Sequence, residues 1–144
     1  MLNASLLDIP RPFIDPIDSL VEALGVASLS IPRPLVPRTV VLVADAQRRC
    51  VAISHFPTLS ESSVHSIVGS CSHLPDAHHI ILISTRTTSP ICVTDSHLLQ
   101  HCNSVFAHAG LHLLDWVVVG TGGLYCPRSL TDSSDPWTSP DSCL

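Results

Sequence analysis

Ile80-Ile81-Leu82-Ile83-Ser84-Thr85-Arg86 is the stretch on which the fold turns. Its first four residues are apolar, mostly β-branched and without alternation, the pattern of a central strand covered on both faces. Downstream, residues 95–109 put Leu98, Cys102, Val105, Phe106 and Ala109 on one face of a helix, and Gly110 supplies its C-cap. Leu113 to Val119 then reads as a second apolar strand. After the Thr121-Gly122-Gly123 turn, Leu124-Tyr125 reads as an edge strand stopped by Pro127. Upstream, Val40-Val41-Leu42-Val43 and Cys50-Val51-Ala52-Ile53 flank a turn at Asp45-Ala46-Gln47-Arg48 as a hairpin. Between hairpin and central strand, Val64, Ile67, Val68 and Cys71 recur at helical spacing, with serine caps at 60–63 and Pro75 just past the end. The expected class is α/β: a layered mixed sheet flanked by helices, with Ile81, Ile83, Leu98, Phe106, Leu114 and Val118 in its core.

A chain of 144 residues has room for one domain of modest size with flanking segments. The domain is placed at 39–130. Residues 1–38 read as a proline-rich extension in which Ile9-Pro10-Arg11-Pro12 is repeated as Ile31-Pro32-Arg33-Pro34, both copies being expected as extended connectors. Between the copies, Asp15 as N-cap, Pro16 at the first helical position, and Ile17, Leu20, Val21 and Leu24 at helical spacing predict one short helix ending near Gly25. Pro34-Leu35-Val36-Pro37 reads as a stiff spacer in preference to the alternative, a polyproline ligand. In 131–144, Ser, Asp and Pro dominate, so a disordered or loosely docked tail is expected.

The net charge is -5, lysine is absent and the arginines are scattered, so the footprint of a general nucleic-acid binder is missing. Mean hydropathy is +0.38, yet every apolar run is broken well before the ~20 residues of a membrane span. No basic stretch followed by an apolar core opens the sequence, which leads to a cytoplasmic expectation. The six cysteines form no Cys-x-x-Cys pair and read as small buried apolar residues, with Cys71 and Cys102 on apolar helix faces and Cys143 exposed.

Taken in order, Thr58-Leu59, Val64-His65, Ile80 to Ile83, the Gly110-capped helix, Leu113-Leu114-Asp115-Trp116-Val117-Val118-Val119-Gly120 and Ser129-Leu130 resemble the RadC-like branch of the JAB/MPN (JAMM) metallo-isopeptidase superfamily. The resemblance implies a cytidine-deaminase-like α/β architecture. In active members it further implies zinc held by a His-x-His element after the apolar strand and by an aspartate at the start of the next helix, with a glutamate from an earlier strand activating the bound water. Carried onto this chain, Ser84 stands at the first histidine and Arg86 at the second, and no carboxylate occurs near Ile53 and Ser54. A hydroxyl and a guanidinium cannot build a catalytic zinc site. Counting back from Gly110 puts Asp95 at the aspartate position, whereas counting forward from Ser84 selects His97. The apolar helix face favours Asp95, which equally suits an N-cap or first-turn acid. His65 follows Val64 as in the family's Val-His-Pro-Arg-Glu element, but Ser66-Ile67-Val68 replace the remainder.

Nine histidines raise an alternative, a metal-dependent hydrolase with a rearranged zinc site using Asp95, His97 and His101. Residues 97 and 101 are helical i, i+4 neighbours, but the Glu of a His-Glu-x-x-His motif is missing and rim histidines are commonly just solvated. His78-His79 reads as a loop pair, and no Gly-x-Ser-x-Gly turn surrounds Ser84 to make it a nucleophile. The leading expectation is a catalytically inactive domain without a metal or other cofactor, serving as a structural module or one that binds a protein partner. Its link to DNA repair comes only from the resemblance, and the helix-hairpin-helix region that often precedes the family domain has no counterpart in 1–38. Arg86 is expected beside Asp95, its guanidinium standing in for the missing cation.

Overall fold

The computed structural model describes residues 16–28, 36–87, 94–120 and 123–128. Both Ile-Pro-Arg-Pro copies, the 131–144 tail and Cys143 lie outside them. Strands β1 (Arg38–Ala44) and β2 (Cys50–Phe56) form the expected hairpin. Asp45 closes its turn by accepting from the backbone N–H of Gln47 at 3.0 Å and of Arg49 at 2.9 Å, while Arg48 takes a left-handed φ of 63°. Strand β3 (His79–Thr85) runs antiparallel to β1 and parallel to β4 (His112–Gly120), and β4 pairs antiparallel with β5 (Gly123–Tyr125). The resulting five-stranded mixed sheet has the order β2-β1-β3-β4-β5. Its central position explains why β3 lacks alternation: Ile80, Ile81, Leu82 and Ile83 are all fully buried.

Helices α2 (Glu61–Cys71) and α3 (Asp95–His108) cover one face, where Val64, Ile67, Cys102 and Phe106 pack with Val41, Ile80, Leu82, Trp116 and Val118. Helix α1 (Leu20–Ser28) lies over the other, with Ala23, Val26 and Ala27 among Val40, Leu42, Ile81, Ile83 and Val117. A reciprocal box opens α2, in which the Ser60 hydroxyl accepts from the Ser63 backbone N–H and the Ser63 hydroxyl accepts from that of Ser60. α3 ends on Gly110 at φ 76°, with Leu111 N–H donating to Phe106 O at 2.8 Å and Gly110 N–H to Ala107 O at 3.1 Å. These two bonds form the left-handed glycine termination expected from the sequence.

Expectations for two of the helices are corrected. Pro16 does not open a helix; it bridges to Arg49, and Ile17 N–H donates to Arg48 O at 2.8 Å, so α1 begins only at Leu20 and runs through Gly25. Its true start signal is Ser19-x-x-Glu22: the Ser19 hydroxyl accepts from Glu22 N–H at 3.2 Å and the Glu22 carboxylate from Asp18 N–H at 2.9 Å. Val21, assigned to the apolar face, is 74% exposed. On α3, Leu99 rather than Leu98 takes the fully packed position, and Leu98 is only partly buried.

Candidate functional site

The β3–α3–β4 crossover brings the carboxyl ends of two parallel strands and the amino end of α3 together at one end of the sheet. Open α/β sheets commonly place ligands at such a crevice. Here side chains of the protein itself fill the space. Arg86 follows β3, and its backbone N–H donates to Val119 O at 2.8 Å, fixing the residue against β4. Its guanidinium grips Asp95, the first residue of α3, through Nη1 to Oδ2 at 2.9 Å and Nη2 to Oδ1 at 2.7 Å. Tyr125 on β5 donates its hydroxyl to the same Oδ2 at 2.8 Å. Both carboxylate oxygens of the nearly buried Asp95 are therefore engaged, and the planar fork of arginine matches them as a point charge could not.

Ser84 lies on the same face of β3, one alternation before Arg86. Its hydroxyl accepts from Trp116 Nε1–H at 2.9 Å and shares a hydrogen bond with the Thr39 hydroxyl at 3.0 Å, either oxygen being the donor. Register explains the grouping: Thr39 of β1 is paired with Ser84, and Ser84 in turn with Val118 of β4. All three polar side chains are buried and satisfied by one another. The group is built to hold the strands' ends together. No histidine sits beside Ser84 among these contacts to activate it as a nucleophile.

A second buried aspartate lies on the α1 side. The β3–β4 register slips between Ile80 and Ile81, so Leu114 is skipped and Asp115 pairs with Ile81. Asp115 accepts from Trp116 N–H at 2.8 Å and from Arg128 Nε at 3.3 Å, with Cys126 Sγ at 3.7 Å. Burial, and then the negative charge of Asp115, push the Cys126 thiol up to about 11, which keeps it protonated and unreactive near neutrality.

Asp95, His97 and His101 occupy separate surroundings. Asp95 is taken by Arg86 and Tyr125, His97 is exposed, and the His101 ring meets the edge of His65 with centroids 5.6 Å apart. Among the described residues no group of three or more His, Cys, Asp or Glu is arranged to hold a metal ion. Among the described residues, Asp95, His97 and His101 are thus not brought together as one ligand group.

Sequence reasoning missed Tyr125 as the third member of the Asp95 group, and the Asp115–Arg128 pair. Nothing local marks Tyr125, whose role depends on β5 folding back along β4. The reading of His78-His79 as a loop pair is half corrected: His79 opens β3 and faces His112 across the parallel pair. No family model and no curated protein matches this chain.

Proposed function

We propose that the chain is a RadC-like JAB domain whose zinc site has given way to an internal ion pair, and that it works as a protein-binding or structural module rather than as a hydrolase. One observation carries this reading. The positions aligned by the resemblance with two of the zinc ligands, Arg86 and Asp95, are joined to each other by a bidentate ion pair, with Tyr125 closing the remaining side. An arginine at that point supplies the positive charge without which a buried carboxylate is unstable, and it offers no lone pair to a metal. Ser84, at the third aligned position, is consumed by Trp116 and Thr39.

A protein partner fits better than nucleic acid. Arg49, Arg86 and Arg128 are each matched by an aspartate, Asp45, Asp95 and Asp115 respectively, so these cations are neutralised within the fold. A phosphate backbone needs such charges presented outward.

The test is to restore the ligands. Ser84→His combined with Arg86→His, made in a His79→Gln background, is expected to gain zinc affinity beside Asp95 while the background alone does not. Ser84 is buried against Trp116, so folding is checked by circular dichroism, and Arg86→His alone serves as a smaller change that offers two ligands. If both folded variants bind zinc no better than the background, the three positions do not correspond to a former metal site and the reading fails.

A further inference from the structure

We propose that His79 and His112 form a binding site for one divalent transition-metal ion of the zinc, nickel and copper class, with His78 as the neighbouring source of a third nitrogen. The site lies at the end of the sheet opposite Arg86, roughly 23 Å away along β3 at the usual rise per strand residue. It does not depend on the reading of the Asp95 group.

Register creates it. β3 and β4 begin as a parallel pair with His79 opposite His112, so both rings leave the same face of adjacent strands. Their Nδ1 atoms are 3.1 Å apart. Two nitrogens each about 2.0–2.1 Å from one ion lie about 2.9–3.4 Å from each other in square-planar or tetrahedral coordination. The pair therefore already has the bite of a chelate, and no backbone movement is needed to use it.

The protons can be arranged to suit. In the metal-free protein one of the two Nδ1 atoms carries the proton of their shared hydrogen bond, and on metal entry that proton moves to Nε2 of the same ring, so that both Nδ1 lone pairs turn to the ion.

Both rings lie within electrostatic reach of Arg48. His78 is exposed, with its ring centroid 4.7 Å from that of His79, and a side-chain rotation brings it toward the ion. Arg48 opposes binding, because the charge that disfavours imidazolium also disfavours a metal cation.

The experiment titrates Zn2+, and separately Mg2+, into the chelator-treated, tag-free chain, followed by calorimetry and by the imidazole 15N resonances. One Zn2+ per chain is expected, with the Nδ1 signals of His79 and His112 shifting together and no response to Mg2+. His79→Gln or His112→Gln should each weaken binding by about 10–100-fold, at least what losing an outer partner of a ligand costs. Arg48→Gln should tighten it, an outcome that general destabilisation does not produce, and Asp95→Asn should leave it unchanged. Absence of zinc binding by the wild type, a shift confined to other histidines, or glutamine variants that bind like wild type would each overturn the site. If a glutamine variant loses its fold, the wild-type resonances and Arg48→Gln decide.

Discussion

Arg86 and Asp95 meet through two parallel hydrogen bonds of 2.9 and 2.7 Å, joining the end of the central strand to the first turn of α3. An ion pair spanning a strand-to-helix crossover fixes where α3 starts, and its acid also sits at the positive end of the helix dipole. The pair is thus both the content of the candidate site and a clamp on the fold.

Removing the guanidinium leaves a buried carboxylate with Tyr125 as its remaining side-chain donor. Arg86→Ala is expected to cost roughly 2–4 kcal/mol, somewhat below the ~3–5 kcal/mol for breaking a fully buried pair because the arginine side chain is 22% exposed. Arg49→Ala breaks a pair whose arginine is 40% exposed and should cost less than about 1 kcal/mol. Urea unfolding of the two variants checks this, and equal losses would remove the clamp from the account.

Ser84→Ala strips the buried Trp116 indole N–H and the Thr39 hydroxyl of their common partner. The expected loss is about 1–3 kcal/mol, the cost of unsatisfied buried polar groups. Stability equal to wild type would show that the three side chains are not coupled.

Phe106 is fully buried between α3 and the sheet, and Phe106→Ala should cost about 3–5 kcal/mol. Val21, 74% exposed on α1, should tolerate Val21→Ala within about 0.5 kcal/mol. A reversal of this order would mean the faces of the helices are misassigned.

Acid should loosen the His79–His112 end of the sheet. His79 titrates at about 4 in the fold against an ordinary 6.5, with burial first, then His112, His78 and Arg48 as causes, while the Ala46 bond acts the other way. Between those two values the unfolded chain binds a proton that the fold refuses, so stability contributed by the neutral ring is present above the unfolded value and falls as pH drops toward 4. In chelator-treated protein, the melting temperature of wild type should decline more steeply between pH 6.5 and 4 than that of His79→Gln. Parallel declines would show that the ring is not held neutral.

Legibility in the sequence followed locality. The run at 80–83 announced a central strand because burial on both faces leaves no place for alternation, and Gly110 announced the end of α3 because a left-handed residue is needed there. The Arg86–Asp95 pair was also readable, since opposite charges flanking a strand-to-helix connection have one convenient place to meet. By contrast, α1 was placed early because a proline after an aspartate imitates a helix start, and the Ser19-x-x-Glu22 box three residues later was passed over. His79 beside His112 and Tyr125 beside Asp95 could not be seen, because each contact depends on which strands pair and in which register. The same holds for Asp115, whose burial on the α1 side follows from the irregularity after Ile80.

The central claim is that the Asp95 group is closed by arginine and holds no metal. Its most direct measurement is the zinc content of the His79→Gln/His112→Gln protein, prepared without an affinity tag, exposed to zinc and dialysed. The account predicts no stoichiometric zinc. One zinc per chain, lost again on Asp95→Asn, would contradict it.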